Sequence, residues 1–275
     1  MTERRFAQVD VFGTGGITGN PLAVVVDGSG LSDAEMAAFA RWTNLSETTF
    51  VLPASDPQAD YAVRIYTTTG ELPFAGHPTL GTAATWLAHG GVPRTPGVIV
   101  QECGAGLVQV RLDGERLAFA APPRTRTGPL DEATLLVAEG CLGLPRTAFL
   151  AHAWGVNGPP WAIVELASDA VVRDVRPRLA DLGKVFLGLV GRAPAGSASS
   201  YEVRGLLADF EDPVTGSLNA SVAQWMRERG LVPAAYRVSQ GSQVGRTGEV
   251  WVNDDGHQIW IGGRVAPVIA GTVRL

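Results

Sequence analysis

Two stretches, one in each half of the chain, begin alike and end alike, and this constrains the fold more than any other feature. Pro78-Thr79-Leu80-Gly81-Thr82 and Pro213-Val214-Thr215-Gly216-Ser217 both read Pro-x-x-Gly-[Ser/Thr]. Each leads into a run of small and apolar residues containing a tryptophan, Trp86 or Trp225. Each run closes on Gly-x-Val-Pro, at Gly90-Gly91-Val92-Pro93 and Gly230-Leu231-Val232-Pro233. Upstream of the first copy, Pro73 and Pro78 lack an N–H and push the residue before them out of the α region, so Glu71 to Pro78 is expected to be a loop carrying His77. Composition then turns helical until the glycines stop it, which places the helix start near Thr79 to Thr82. Such a start exposes unpaired N–H groups and the positive end of the helix dipole, the makings of an anion site. Either copy alone is an ordinary helix start. Shared start and stop signals in opposite halves instead read as a duplicated unit, with His77 before one helix and Asp212 before the other.

Composition removes several classes of function. A chain of 275 residues lies near the size at which one core gives way to two, and a net charge of −5 argues against nucleic acid or an anionic membrane as partner. Lys184 is the only lysine and is followed by Val185, so no P-loop exists. Cys103 and Cys141 form no CxxC pair, which indicates neither zinc nor a disulfide framework. The histidines share no metal-ligand spacing, so no metal and no cofactor are called for. No signal-like or membrane-length apolar run occurs, and the expectation is a soluble cytoplasmic protein.

Along the chain, Phe6 to Phe12 alternates like a strand, and the Gly-rich loop Gly13 to Pro21 leads into the buried strand Leu22 to Val26. A dinucleotide fingerprint would lead into a helix, which weakens that reading. Ser32-Asp33-Ala34-Glu35 is a capping box for a helix to about Trp42. Glu47 follows where that helix gives way to the β-prone run Thr48 to Leu52. With Leu45, Phe50 and Val51 around it and no base nearby in sequence, a partly buried Glu47 would have a raised pKa suited to proton shuttling. Taken alone, a Glu at a helix exit reads more readily as solvated surface. In isolation Asp212 reads as an N-cap and Ser217 as helix chemistry. Pro122-Pro123 to Gly128 is the candidate linker, dividing the chain into residues 1–122 and 123–275 with a tail able to pack back on the first half.

The blocks Gly19-Asn20-Pro21-Leu22-Ala23-Val24-Val25, Asn44-Leu45-Ser46-Glu47-Thr48-Thr49-Phe50, Glu71-Leu72-Pro73-Phe74-Ala75-Gly76-His77-Pro78-Thr79, Glu211-Asp212-Pro213-Val214-Thr215-Gly216-Ser217 and Gln240-Gly241…Gly245-Arg246 resemble the phenazine-biosynthesis PhzF-like isomerase family. The resemblance implies an α/β (α+β) diaminopimelate-epimerase-like fold of two pseudo-repeated halves, each a curved, mostly antiparallel sheet around a central helix, with the site between them. It further implies Glu47 as acid/base with His77 and Asp212, a substrate-binding set of Asn20, Gly76, Gly81, Thr82, Gly216 and Ser217, a small anionic substrate and a homodimer. Related racemases place cysteines on two catalytic positions that here hold Glu47 and Ser217. The segment Arg204 to Phe210 is shorter than the family's usual approach to Asp212, which leaves the substrate open.

Three functions follow as expectations. The first is a cofactor-independent isomerase moving a proton between carbons of a carboxylate-bearing metabolite by one Glu. The second is a racemase or epimerase with a second base, and the third a non-catalytic binder on the same scaffold. A serine without an activating base cannot readily lift a carbon-bound proton, which favours the first.

Overall fold

The computed structural model describes all 275 residues, and they divide into two compact units, residues 1–120 with 262–275 and residues 121–261. The first unit contains β1 (Glu3–Val11), β2 (Asn20–Val25), α1 (Asp33–Thr43), β3 (Glu47–Leu52), β4 (Tyr61–Tyr66), β5 (Glu71–Leu72), α2 (Gly76–Ala88), β6 (Val98–Cys103), β7 (Gly106–Asp113) and β8 (Arg116–Ala120). Its strands run in the order β1-β2-β3-β4-β6-β7-β8, and the last strand of the chain also pairs antiparallel with β1. The helix α2 packs against β1, β2, β3, β6, β7 and β8, so the sheet curves round it. Gly81 makes the approach possible, since a Cβ there would lie 2.5 Å from Leu22 Cδ2 and 3.0 Å from Val11 Cγ2. On the other side of the sheet, α1 buries Met36, Phe39 and Ala40 against Val25, Phe50 and Tyr66.

The second unit repeats the scheme with α3 (Glu132–Leu142), β9 (Ala151–Val156), β10 (Pro160–Leu166), α4 (Asp169–Asp174), β11 (Phe186–Arg192), β12 (Tyr201–Leu206), β13 (Glu211–Asp212), α5 (Gly216–Glu228), β14 (Ala235–Gln240) and β15 (Gly248–Asp254). The final strand, β16 (Ile259–Arg274), begins in this unit and continues in the first. In both units one parallel pair (β2 with β3, β10 with β11) follows an antiparallel one (β1 with β2, β9 with β10).

A constant offset of 140 residues relates the units through their centres. It takes Tyr61 to Tyr201, Arg64 to Arg204, Glu71 to Glu211, Pro73 to Pro213, Gly76 to Gly216 and Gly90 to Gly230. The turn Thr67–Gly70 maps onto Leu207–Phe210, each closed by the same N–H to carbonyl bond, so the short approach to Asp212 matches its counterpart in length. The duplication is therefore real, but its register differs from the one the sequence suggested. Pro213-Val214-Thr215-Gly216-Ser217 pairs with Pro73-Phe74-Ala75-Gly76-His77, five residues before Pro78 to Thr82. The helix starts at Gly76, not at Thr79 to Thr82. Pro78 lies in its first turn, where no intrahelical partner exists for the missing N–H and the fixed φ suits a helix.

One repeated interaction is built differently in the two units. Arg64 grips Glu71 at 2.7 and 2.5 Å, and Arg204 grips Glu211 at 3.0 and 2.7 Å, both bidentate. The first pair is 27% and 40% exposed, the second 3% and 7%, and Arg204 also donates to the Val172 and Val175 carbonyls. Removing one member of the buried pair strands a charge, whereas the exposed pair is screened. Arg204→Met should thus cost on the order of 3–5 kcal/mol in urea unfolding, and Arg64→Met no more than about 1 kcal/mol. Equal costs would contradict this account.

Candidate active site

In the first unit, α1 ends at Asn44 in the left-handed conformation (φ 55°), its N–H returning to the Ala40 carbonyl. The chain then enters β3, whose first residue is Glu47, aligned with Leu22 of the parallel neighbour β2. The second residue of α2 is His77. Its Nε2 lies 3.3 Å from Glu47 Oε2. Thus the structure brings together Glu47 and His77, and it adds Asn20, whose Nδ2 is 3.4 Å from His77 Nδ1. Asn20 is held there by the Gly-rich loop, since the buried Asp10 carboxylate accepts from the Gly19 and Thr18 N–H groups at 2.8 and 3.2 Å. Adding a Cβ at Gly19 would place it 2.1 Å from the Val11 carbonyl, so only glycine closes the loop.

Burial pushes the His77 imidazole down to about 3, against the hydrogen bond with the Pro21 carbonyl that favours the charged form. The ring is neutral at pH 7, so its 3.3 Å approach to Glu47 is not an ion pair. Gly81 and Thr82, expected at the helix start, sit in the second turn instead. Gly81 packs on the sheet and Thr82 donates to Thr49 Oγ1 at 2.8 Å. Gly76, buried at the first helical position, is the glycine at the helix end.

In the second unit α5 starts at Gly216, with Ser217 buried in its first turn. Asp212 is not the N-cap that its sequence position suggests. It lies on β13, paired with Gly205, and its Oδ2 accepts from Thr215 Oγ1 at 2.6 Å. Gln240 locks this corner, accepting from the Thr215 N–H at 3.0 Å and donating to the Asp212 carbonyl at 3.2 Å. Ser217 is reached from β10 and from the bend before it, which local sequence gave no reason to connect with it. Trp161 Nε1 donates to its Oγ at 3.0 Å, and Asn157 Nδ2 donates to its carbonyl at 2.9 Å.

The two helix starts share a property absent elsewhere. Helices α1, α3 and α4 have their first N–H groups capped by Ser32, Asp131 and Ser168. Neither α2 nor α5 has a side-chain cap or an acidic residue in its first turn, although that turn is buried in both. Buried orphan N–H groups with an uncompensated dipole favour an anionic oxygen.

The chemistry differs between units. Register pairs Leu22 with Glu47 and Thr48 with Tyr66 in the first, and Trp161 with Phe186 and Leu187 with Leu206 in the second. Glu47 therefore corresponds to Phe186, and His77 to Ser217. Only the first unit has an ionisable group at the head of this strand.

A family model described as "Phenazine biosynthesis-like protein" (PhzC-PhzF) matches residues 9–271. The chain is 32% identical to "Antisense-enhancing sequence 1" of Schizosaccharomyces pombe, over 98% of this chain and 99% of that protein. It is 31% identical to the trans-2,3-dihydro-3-hydroxyanthranilate isomerase of Pseudomonas aeruginosa, over 92% and 91%. Among solved structures, a PhzF-family protein of Bacillus anthracis superposes with a TM-score of 0.82 at 22% identity, covering 100% of both chains. A hydroxyproline epimerase of Agrobacterium vitis shares the fold at a TM-score of 0.61 and 15% identity, over 99% of this chain and 93% of that one. The chain belongs to the phenazine biosynthesis-like (PhzC-PhzF) family of isomerases, with the diaminopimelate-epimerase-like fold. No helix is long and apolar enough to cross a membrane.

The state of His77 has a measurable consequence. Its folded pKa of about 3 lies below the unfolded value of 6.5, so between these values the unfolded chain holds the extra proton. The stability this confers is complete above pH 6.5 and is lost as pH falls toward 3. Between pH 7 and pH 5 the wild type should lose about 2 kcal/mol more than His77→Asn. Parallel stability–pH curves for the two proteins would rule out a buried neutral imidazole.

Proposed function

We propose that the protein is an isomerase that moves a proton between two carbons of a small carboxylate-bearing metabolite, with Glu47 as the single acid/base. The supporting observation is the Glu47 Oε2–His77 Nε2 contact of 3.3 Å beside the uncapped start of α2. The carboxylate takes a proton from carbon, and the electron pair left behind delocalises toward an oxygen held by the first-turn N–H groups of Gly76 and His77. Such preorganised donors stabilise the charge where it develops. Glu47, now a carboxylic acid, returns the proton to a different carbon, and atoms and charge balance without a net change in the enzyme.

Acid and base forms must alternate during this cycle, and the surroundings of His77 suit both. Nε2 has no hydrogen-bonded partner in the protein, so the Asn20 amide and the Pro21 carbonyl both address Nδ1. With its proton on Nε2 the ring donates to the Glu47 carboxylate and accepts from Asn20. With the proton on Nδ1, given to Pro21, Nε2 accepts from the Glu47 acid. A neutral imidazole flanked by one donor and one acceptor follows the state of Glu47 by changing tautomer.

Isomerisation is favoured over inversion because Phe186 occupies the position corresponding to Glu47. The similarity to the hydroxyanthranilate isomerase makes trans-2,3-dihydro-3-hydroxyanthranilate the first compound to test. In D₂O, the wild type should place deuterium in the product. Glu47→Gln should lower turnover by a factor on the order of 10²–10⁴, with ligand binding retained, and Asp212→Asn should reduce turnover as well. Retained exchange in Glu47→Gln would remove Glu47 from the reaction, and a product mixture of two enantiomers would favour the racemase.

A further inference from the structure

We propose that Trp161 and Asn157 are positioning residues, which together make the Ser217 hydroxyl a directed donor for an anionic oxygen of the ligand. The inference rests on the carboxylate-bearing ligand proposed above, but not on the proton transfer. A serine hydroxyl has one proton and two lone pairs, and free rotation lets it spend that proton on any nearby acceptor. Here the rotor is constrained. The Trp161 indole N–H can only donate, so at 3.0 Å it occupies a lone pair of Ser217 Oγ and leaves the hydroxyl proton to be given away. Ser217 is buried, its Oγ makes no other hydrogen bond, and no protein acceptor takes the proton.

The backbone of the same residue is fixed independently. Asn157 Nδ2 donates to the Ser217 carbonyl at 2.9 Å, while Asn157 Oδ1 is buried with no hydrogen-bond partner. A buried amide oxygen left unsatisfied is costly, and the Nδ2 bond is the polar contact that this amide supplies in return. Two donors thus converge on one residue in the uncapped first turn of α5, whose own N–H groups also seek an acceptor. Every group at this point that still has a proton to give favours negative charge. In the first unit the corresponding residue is His77, facing Glu47. In the second, Trp161 and Phe186 make an edge-to-face aromatic pair, with ring centres 5.5 Å apart, where the other unit has Leu22 and Glu47. The aromatic pair removes the ionisable group and supplies the indole N–H, turning a proton-transfer position into a binding one.

The test uses anthranilate, a stable ring carboxylate, titrated by its fluorescence into the full chain. Ser217→Ala should weaken binding about tenfold, as loss of a hydrogen bond to a charged group does. Trp161→Phe keeps the aromatic packing and should weaken binding severalfold, but should add less than twofold in the Ser217→Ala background. If Trp161→Phe does not fold, the indole N–H resonance of Trp161 decides. It should move upfield in Ser217→Ala, and downfield when anthranilate binds the wild type. An equal penalty for Trp161→Phe in both backgrounds would assign it a packing role and overturn the proposal. So would unchanged affinity in Ser217→Ala, an unmoved indole resonance, or wild-type protein that does not bind anthranilate saturably. Because every readout here is the binding of anthranilate, which undergoes no proton shift, failure of the proton-transfer mechanism would leave these results intact.

Discussion

The rest of the structure is arranged around two helix starts whose backbone N–H groups are buried and left without a cap. Each such group costs free energy comparable to a lost hydrogen bond, and α1, α3 and α4 show how readily a serine or aspartate supplies the missing acceptor. In α2 and α5 the residue before the helix is Ala75 or Thr215, neither capping through its side chain, and the first helical residue is glycine. The sheets then enclose these ends. A two-residue strand, β5 or β13, feeds each helix from the edge of β4 or β12, and a buried or half-buried Arg–Glu pair fixes the corner. Both helix ends thus present N–H donors that the chain's own side chains do not cap, and the same corner holds each of them.

Duplication supplied two such ends, and later substitution gave them different chemistry without changing the frame. Residues 140 apart retain the turn, the ion pair and the helix start, because these determine geometry. The differences lie at the head of the third strand and at the second helical residue, where Glu47 and His77 stand in one unit and Phe186 and Ser217 in the other. Neither exchange disturbs the ladder. The ladder bonds of a strand's first residue are made by its backbone, and the second helical residue needs no N–H partner within its helix. Function could therefore diverge at the positions where the fold is least sensitive.

Much of this was legible in the sequence. The capping box at Ser32, the β-prone run Thr48 to Leu52 and the shared Gly-x-Val-Pro stops come from local patterns, while the fold class and the site roles expected of His77, Asp212 and Ser217 follow from the resemblance. The register of the repeat did not. Pro78 reads in the sequence as a helix breaker, although proline in a first turn breaks nothing, and that reading places the helix start at Thr79 to Thr82 and brings in Gly81 and Thr82. Those two residues lie on the buried face of a helix that is apolar or hydroxyl-lined nearly all round, so composition could not tell its end from its middle. Trp161 and Asn157 were invisible for another reason. They meet Ser217 from 56 and 60 residues away, and nothing near either one signals the encounter. Trp161 reads locally as the start of a buried strand and Asn157 as a hairpin residue, which both also are.

The neutrality of His77 connects fold and chemistry most directly. A charged imidazole beside Glu47 would hold that carboxyl ionised and hinder the protonated half of any acid/base cycle. A histidine exposed to water would be partly charged at pH 7, since its unperturbed pKa is near 6.5. Enclosing the ring in the first turn of α2 avoids this, because desolvation penalises the imidazolium far more than the neutral ring. The helix dipole acts in the same sense, its positive end disfavouring a second positive charge. The same burial that makes an orphaned helix end expensive thus keeps the imidazole beside Glu47 uncharged. Both effects come from one decision of the fold, which is to place the start of a helix inside the sheet rather than at its rim.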